Sequence, residues 1–192
     1  MRRASPVNRV AAAGGHEGLT AALGDPAAAA RLSRYLDLLA AWNNRTNLTA
    51  ARTPAARYDL LVRPVAPLAG GLAPGTLIDI GSGNGSPGLV LAALRPDIQA
   101  TLLEPRMRRW AFLREAARVM DVSVDVRRQR HDEYDGPPAR TVTVRALAVP
   151  PQDLAALAEP GGRVIVWGVA PSPHSDLIQE ASFPGGQIYR RR

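Results

Sequence analysis

Residues 77 to 88 read Leu-Ile-Asp-Ile-Gly-Ser-Gly-Asn-Gly-Ser-Pro-Gly. A short apolar run, Thr76–Ile80, carries Asp79 near its end, and Gly81, Gly83 and Gly85 follow at every second position. Glycine lets a backbone turn tightly and pass close to a ligand. The stretch therefore reads as a strand, a glycine turn and a helix from about Pro87 to Leu94. Downstream the same alternation continues. Strands are expected at Gln99–Leu103, Val122–Val126, Thr141–Val144 and Arg163–Trp167, the last opened by Pro160-Gly161-Gly162. Helices are expected at Met107–Met120 and Gln152–Ala158. Strands alternating with helices predict an α/β fold, a mostly parallel sheet with helices on both faces. A short helix near Leu177 and a last strand near Gln187–Tyr189 complete the tail.

Upstream, Asp25-Pro26 is a helix start, because Asp caps free N–H groups and Pro suits the first turn. Leu32, Leu36 and Leu39, with Tyr35, Leu38 and Trp42, recur at helical spacing. Asn43-Asn44 is expected to end that helix. Thr53-Pro54 starts a shorter one that Pro64 ends. Residues 1–24 read as a loose lead-in, 25–75 as a small N-terminal helical extension, and 76–192 as the sheet domain.

The bulk numbers narrow the chemistry. The 192 residues suit one domain, and 46% hydrophobic content suffices for a core. There is no cysteine, which removes disulfides, thiolate nucleophiles and cysteine-based metal sites. His16, His131 and His174 lie far apart, so no metal is expected. The longest uncharged stretch, Pro64 to Ile78, is shorter than the roughly 20 apolar residues of a membrane helix. Arg2 and Arg3 lead into no apolar run, so no signal peptide is expected and the location is read as cytoplasmic. The net charge is +7, and every basic residue is arginine. A guanidinium fork binds phosphate at two points, so clustered arginines would favour nucleic acid.

Glu104 ends the second strand, where an acid can accept both hydroxyls of a ribose. Two cofactors fit. Gly83-x-Gly85-x-x-Gly88 is a formal dinucleotide fingerprint, which suggests NAD. Asp-x-Gly-x-Gly-x-Gly is the pattern of S-adenosylmethionine (SAM) methyltransferases. SAM lacks a pyrophosphate and carries a sulfonium and an ammonium, which Asp79 would suit. The chain is also short for a dinucleotide enzyme, so SAM is preferred.

Trp42-Asn43 and Asn47-Leu48-Thr49 form a WNxxxNLT motif ahead of the loop GSGNGSPG, Gly81–Gly88. After Glu104 come Arg108-Arg109 and Phe112-Leu113, then Arg130-His131-Asp132-Glu133, Arg145-Ala146 and Pro160-Gly161-Gly162. In that order these resemble the RsmG family (also called GidB, glucose-inhibited division protein B), the bacterial small-subunit rRNA guanine-N7 methyltransferases. The resemblance covers residues 32 to about 168. It implies a class I, Rossmann-like SAM-methyltransferase fold, SAM as cofactor, and 16S ribosomal RNA or the small subunit as partner, with the protein acting as a monomer. For the cofactor it implies Asp79, Gly81, Ser82, Gly83, Gly85, Ser86, Glu104, His131, Asp132 and Arg145, with His131-Asp132 where the family contacts adenine. Arg145, after the fourth strand, is the candidate catalytic residue. Asn47, Arg108, Arg109 and Arg130 are candidates for contacting RNA.

The chain departs from that pattern in places. Asp59-Leu60-Leu61-Val62-Arg63 stands where the family has an HxxDS-like motif. Ser86 replaces a usual Phe or Leu, Arg140 an Asp, Val144 a Ser, and Trp167 a Lys. The C-terminal helix and hairpin look shortened. Two alternatives therefore stay open: a paralogue that binds SAM or another nucleotide but modifies something else, and a non-catalytic RNA-binding protein on the same fold. Asn47 could equally be a turn residue, and Trp42, Trp110 and Trp167 read as core.

Overall fold

Alternate residues of the first strand serve two separate cores, which is why its apolar run is unbroken. The computed structural model describes residues 16–192. In β1 (Gly75–Ile80), Leu77 enters one buried cluster while Ile78 and Ile80 enter the other. β1 pairs in parallel with β2 (Ile98–Leu103) and β4 (Ala139–Arg145). β3 (Val124–Arg127) extends the sheet beyond β2, and β5 (Ala158–Trp167) extends it beyond β4. β6 (Leu177–Phe183) and β7 (Gly186–Arg191) form an antiparallel pair, and the full order is β3-β2-β1-β4-β5-β7-β6. β1 and β4 are neighbours although two strands separate them in sequence. The order reverses there, and ligands bind at the carboxyl ends of the strands at such a point.

The first core joins the sheet to the N-terminal helices. α1 (His16–Leu23) and α2 (Pro26–Thr46) precede the sheet. Asp25 caps α2 by accepting from the N–H groups of Ala27 and Ala28 at 2.9 and 3.1 Å. Leu32, Tyr35, Leu36 and Leu39 form its buried stripe. They share one cluster with Leu89 and Leu91 of α5 (Gly88–Leu94) and with Phe112 and Leu113 of α6 (Met107–Met120). The N-terminal helices are thus part of the sheet domain's own core. α3 (Pro54–Arg57) runs into a π-helical turn, Tyr58–Val62, and α4 (Ala66–Ala69) leads to β1. The second face is covered more thinly. It holds α7 (Pro151–Leu157), with Leu154 and Leu157 in the second cluster and Tyr134 packed against it.

Several expectations need correction. Residues 16–23 of the assumed lead-in are helical, and Leu19 is buried; residues 1–15 lie outside the described residues. The third strand begins at Val124, because Asp121 turns left-handed and Val122 N–H still bonds to Ala117 O, closing α6. No helix forms near Leu177. That segment is the edge strand β6, since its backbone finds a partner in β7 that follows it in sequence. The hairpin is therefore present, while the crossing from β5 to β6 has no helix. Of the tryptophans, Trp167 is buried, Trp42 meets Phe112 edge-on, and Trp110 is half-buried with Arg114 over its ring.

Asn43 does not stop α2, which runs on to Thr46. Its buried side chain instead shapes the next loop. Its Oδ1 accepts from Leu48 N–H at 2.7 Å and Thr49 N–H at 2.8 Å, and its Nδ2 donates to Thr49 O at 2.9 Å. Replacing Asn43 by Ala would leave two buried N–H groups without acceptors. Stability measured by urea denaturation should fall by about 2–4 kcal/mol.

Candidate functional site

A cavity of about 720 Å³ opens at the carboxyl ends of the strands, where β1 and β4 part. The glycine loop forms one side of it through Gly81, Ser82, Gly83, Asn84 and Ser86. Gly83 has φ +51°, and a Cβ placed there would meet nothing closer than 3.5 Å. Its N–H donates to Glu104 Oε2 at 3.0 Å. Glu104 Oε1 accepts from Arg106 N–H at 2.8 Å. Glu104 is buried yet lines the cavity. Two backbone donors fix its carboxylate, and each oxygen has a second acceptor site. That is a rigid acceptor suited to a pair of hydroxyls.

Asp79 sits elsewhere than expected. Its side chain does not line the cavity but lies beneath the loop, 1% exposed. Asp79 and Thr143 are register partners on neighbouring strands, so their side chains share a face. Thr143 Oγ1 donates to Asp79 Oδ1 at 2.7 Å, and Gly88 N–H at the start of α5 donates to Oδ2 at 3.2 Å. Burial pushes its pKa up to about 6, against the opposing pull of Thr143, Ser82, Gly88 and Arg145. Gly85 also faces inward. Its φ is +94°, and a Cβ there would come within 2.7 Å of Leu89 and 3.2 Å of Tyr35, so backbone and packing both call for glycine.

The other candidates divide similarly. His131 lines the cavity, and its Nε2 lies 3.2 Å from Asp153 Oδ2 of α7. That contact holds the 3₁₀ turn His131–Glu133 over the end of β3. Asp132 turns away to pair with Arg130 at 2.9 Å. Arg106, Arg109 and Arg130 line the mouth, whereas Arg108 is exposed outside it. Among the described residues the guanidinium groups of Arg106 and Arg109 have no hydrogen bond or ion pair. Asn47 is exposed and caps α2 in the left-handed region, φ 48°. Its neighbours Leu48, Thr49 and Ala50 reach the cavity instead.

Arg145 joins three elements. Its Nη1 donates to Ser86 Oγ at 2.8 Å and its Nη2 to Leu60 O at 2.6 Å. Ser86 in turn donates to Leu61 O at 2.7 Å. Desolvation lowers the Arg145 pKa from its ordinary value, opposed by Tyr35 and Asp79 nearby. The sequence reading missed the loop's other supports. Tyr35 Oη donates to Asn84 O at 2.8 Å, and Asn84 Nδ2 to Leu48 O at 3.2 Å. Only the WNxxxNLT motif hinted at them.

The model of the family described as rRNA small subunit methyltransferase G matches residues 28–165. The chain belongs to this family. A ribosomal RNA small subunit methyltransferase G of Xanthomonas euvesicatoria is 37% identical over 175 residues, covering 88% of this chain and 80% of that protein. One from Gluconobacter oxydans is 40% identical over 119 residues, covering 62% and 61%. Among solved structures, TrmN from Thermus thermophilus aligns with a TM-score of 0.58 at 18% identity, covering 84% of this chain and 53% of that one. An RNA methyltransferase from Salinibacter ruber, in complex with S-adenosyl-L-homocysteine, gives 0.51 at 21%, covering 68% and 88%. Those two share the fold. As a family member the chain is a SAM-dependent methyltransferase, and NAD is set aside. The site fits that cofactor: Glu104 faces the cavity with acceptor sites to spare, and nothing crowds Gly83.

The buried acid yields a pH prediction. Asp79 holds its proton to about pH 6 when folded, against an ordinary value of 3.8. Its stabilising share is therefore full below about pH 3.8 and is lost as pH rises through about 6. One pH unit of difference is worth about 1.4 kcal/mol, so the loss is on the order of 3 kcal/mol. Asp79→Asn cannot ionise. Urea denaturation from pH 4 to 7 should show the wild type losing stability relative to the variant by that amount. A difference constant with pH would contradict it.

Proposed function

We propose that this chain transfers a methyl group to N7 of a guanine in 16S ribosomal RNA, acting as a monomer in the cytoplasm. One observation carries the reading: the glycine loop and Glu104 meet in a single cavity whose mouth is lined by Arg106, Arg109 and Arg130. When bound, SAM supplies a methyl group on a sulfonium, a leaving group that departs without protonation. Guanine N7 has a lone pair and no proton, so the protein needs no general base. Its residues have to hold, orient and exclude water.

Glu104 would hold the ribose hydroxyls, Gly83 would let the chain pass close by, and His131 would border the adenine. Arg145 cannot move a proton usefully. A positive charge beside a base that becomes positive on N7 methylation would oppose the reaction. Arg145 therefore suits the carboxylate of the cofactor's methionine end, which keeps it in the site as a binding residue. The rim arginines would gain nothing from a cationic cofactor and suit RNA phosphates.

The test uses whole and stripped small subunits with labelled SAM. Label at guanine N7 is the expected result. Tight RNA binding with no transfer would favour the non-catalytic alternative. In calorimetry SAM should bind and NAD should not, and Glu104→Ala should weaken SAM binding by about 1.5–3 kcal/mol.

The rim makes a separate prediction. Log affinity for RNA falls with log salt by roughly 0.7 per phosphate contact on single strands. Replacing Arg106, Arg109 and Arg130 together by Gln should make that slope shallower by about two, with SAM affinity nearly unchanged. An unaltered slope would remove the rim from the RNA surface.

A further inference from the structure

Two leucines stand at the cavity with their side chains open to solvent, and irregular backbone puts each of them there. Leu60 is 43% exposed and Leu147 is 45% exposed. Neither belongs to either buried cluster, and both line the cavity. Leu60 lies on the π-helical turn Tyr58–Val62, where Arg63 N–H reaches back to Tyr58 O at 3.0 Å. Such turns are rare and gather at functional sites. Its carbonyl is the one that Arg145 holds, so its position is fixed. Leu147 follows Ala146, whose φ is 52°, a conformation alanine rarely adopts. A hydrogen bond from Ala146 N–H to Trp167 O at 3.0 Å holds that turn. It lays Leu147 over the glycine loop, with Cδ2 only 2.8 Å from where a Cβ on Gly81 would stand.

The fold leaves these two side chains outside both cores and close to half exposed, so their use lies in what enters the cavity. The N7 edge of guanine faces the major groove, which is deep and narrow in helical RNA and closed to side chains. An enzyme that modifies such an atom takes the base out of the stack and grips it between apolar or aromatic groups. Apolar walls also place no charge against a ring that becomes positive on methylation. The unpaired guanidinium groups of Arg106 and Arg109 line the same cavity, where the flanking phosphates would come.

We propose that Leu60 and Leu147 are the two walls of a slot that receives the extruded guanine. The proposal rests on the RNA methyl-transfer reading above and names the part of the cavity that takes the acceptor base. Leu60→Ala, Leu147→Ala and the double variant test it, because exposed leucines can be trimmed without emptying the core. With labelled SAM and small-subunit RNA, each single variant should lower kcat/KM for RNA about 10-fold. The double variant should lower it about 100-fold, and Leu147→Met should restore most of the loss. Calorimetric SAM affinity should stay within about two-fold of wild type, as these walls leave the Glu104 end untouched. With 2-aminopurine in place of the target guanine, fluorescence should rise on binding wild type and rise less with the double variant.

A double variant that methylates like wild type overturns the slot. So does one whose whole loss appears as weaker SAM binding, since the leucines would then line the cofactor. Wild type that binds SAM but labels no RNA would overturn both this proposal and the reading beneath it.

Discussion

A carboxylate without water survives only where donors have been set out for it, and the whole site is built around one such group. Asp79 lies on β1, takes a hydrogen bond from Thr143 on β4, and takes another from Gly88 at the head of α5. Three elements are thereby locked at the point where the strand order reverses. The constraint reaches further. A Cβ on Gly88 would come within 2.6 Å of Asp79 Oδ2, so the helix can approach the acid only with glycine at its first position. The glycine loop spans the gap between the strand that holds the acid and the helix that binds it. Its path is then largely determined by the two ends.

What remains free in that loop is tied from both sides. Glu104 holds Gly83 from the β2 side. From the other side, Tyr35 holds Asn84, Asn84 holds Leu48, and Ser86 holds Leu61. Tyr35 is fully buried, and burial raises its pKa strongly, so the hydroxyl keeps its proton and stays a donor. These bonds explain why the helices of residues 16–69 share a core with the sheet. They are the outer half of the cofactor loop's support, and they bring Leu48, Thr49, Ala50, Leu60 and Leu61 to the cavity.

Much of this was legible in the residues, for reasons that can be named. The helix expected at Met107–Met120 has the same ends as α6, because its buried stripe has an unmistakable helical period. The parallel strands were found because both faces are buried and their apolar runs are dense. Glu104 stood out through its distance from the loop and its place at a strand end. Asp79 was placed in the ligand site because an acid before glycines has two uses, and only the register with Thr143 separates them. Asp132 looked like a contact, but a neighbouring Arg130 captured it, a choice between rotamers that sequence does not record. β6 was missed because its reason to be a strand lies in β7. The roles of Tyr35 and Asn84 were invisible for the same cause: each bond joins residues that sequence holds far apart.

The departures from the family can be weighed by what they leave unsatisfied. A hydroxyl buried where the family has a Phe or Leu would be costly if it were unpaired. Ser86 is 5% exposed, yet it accepts from Arg145 and donates to Leu61, so the change has been absorbed into the site. Among the described residues, the buried side-chain atoms without a hydrogen bond are Arg57 Nε, Asp59 Oδ1 and Gln187 Oε1. None of these residues lines the cavity. Two of them adjoin or lie within the segment where the HxxDS-like motif is missing. Asp59 Oδ1 lies 3.5 Å from Arg63 Nε in an ion pair, and the loop, Glu104 and Arg145 keep their hydrogen bonds despite the departures. A decaying enzyme has no reason to keep the bonds of its pocket satisfied. A working one does, because groups that hold a cofactor must be fixed before it arrives.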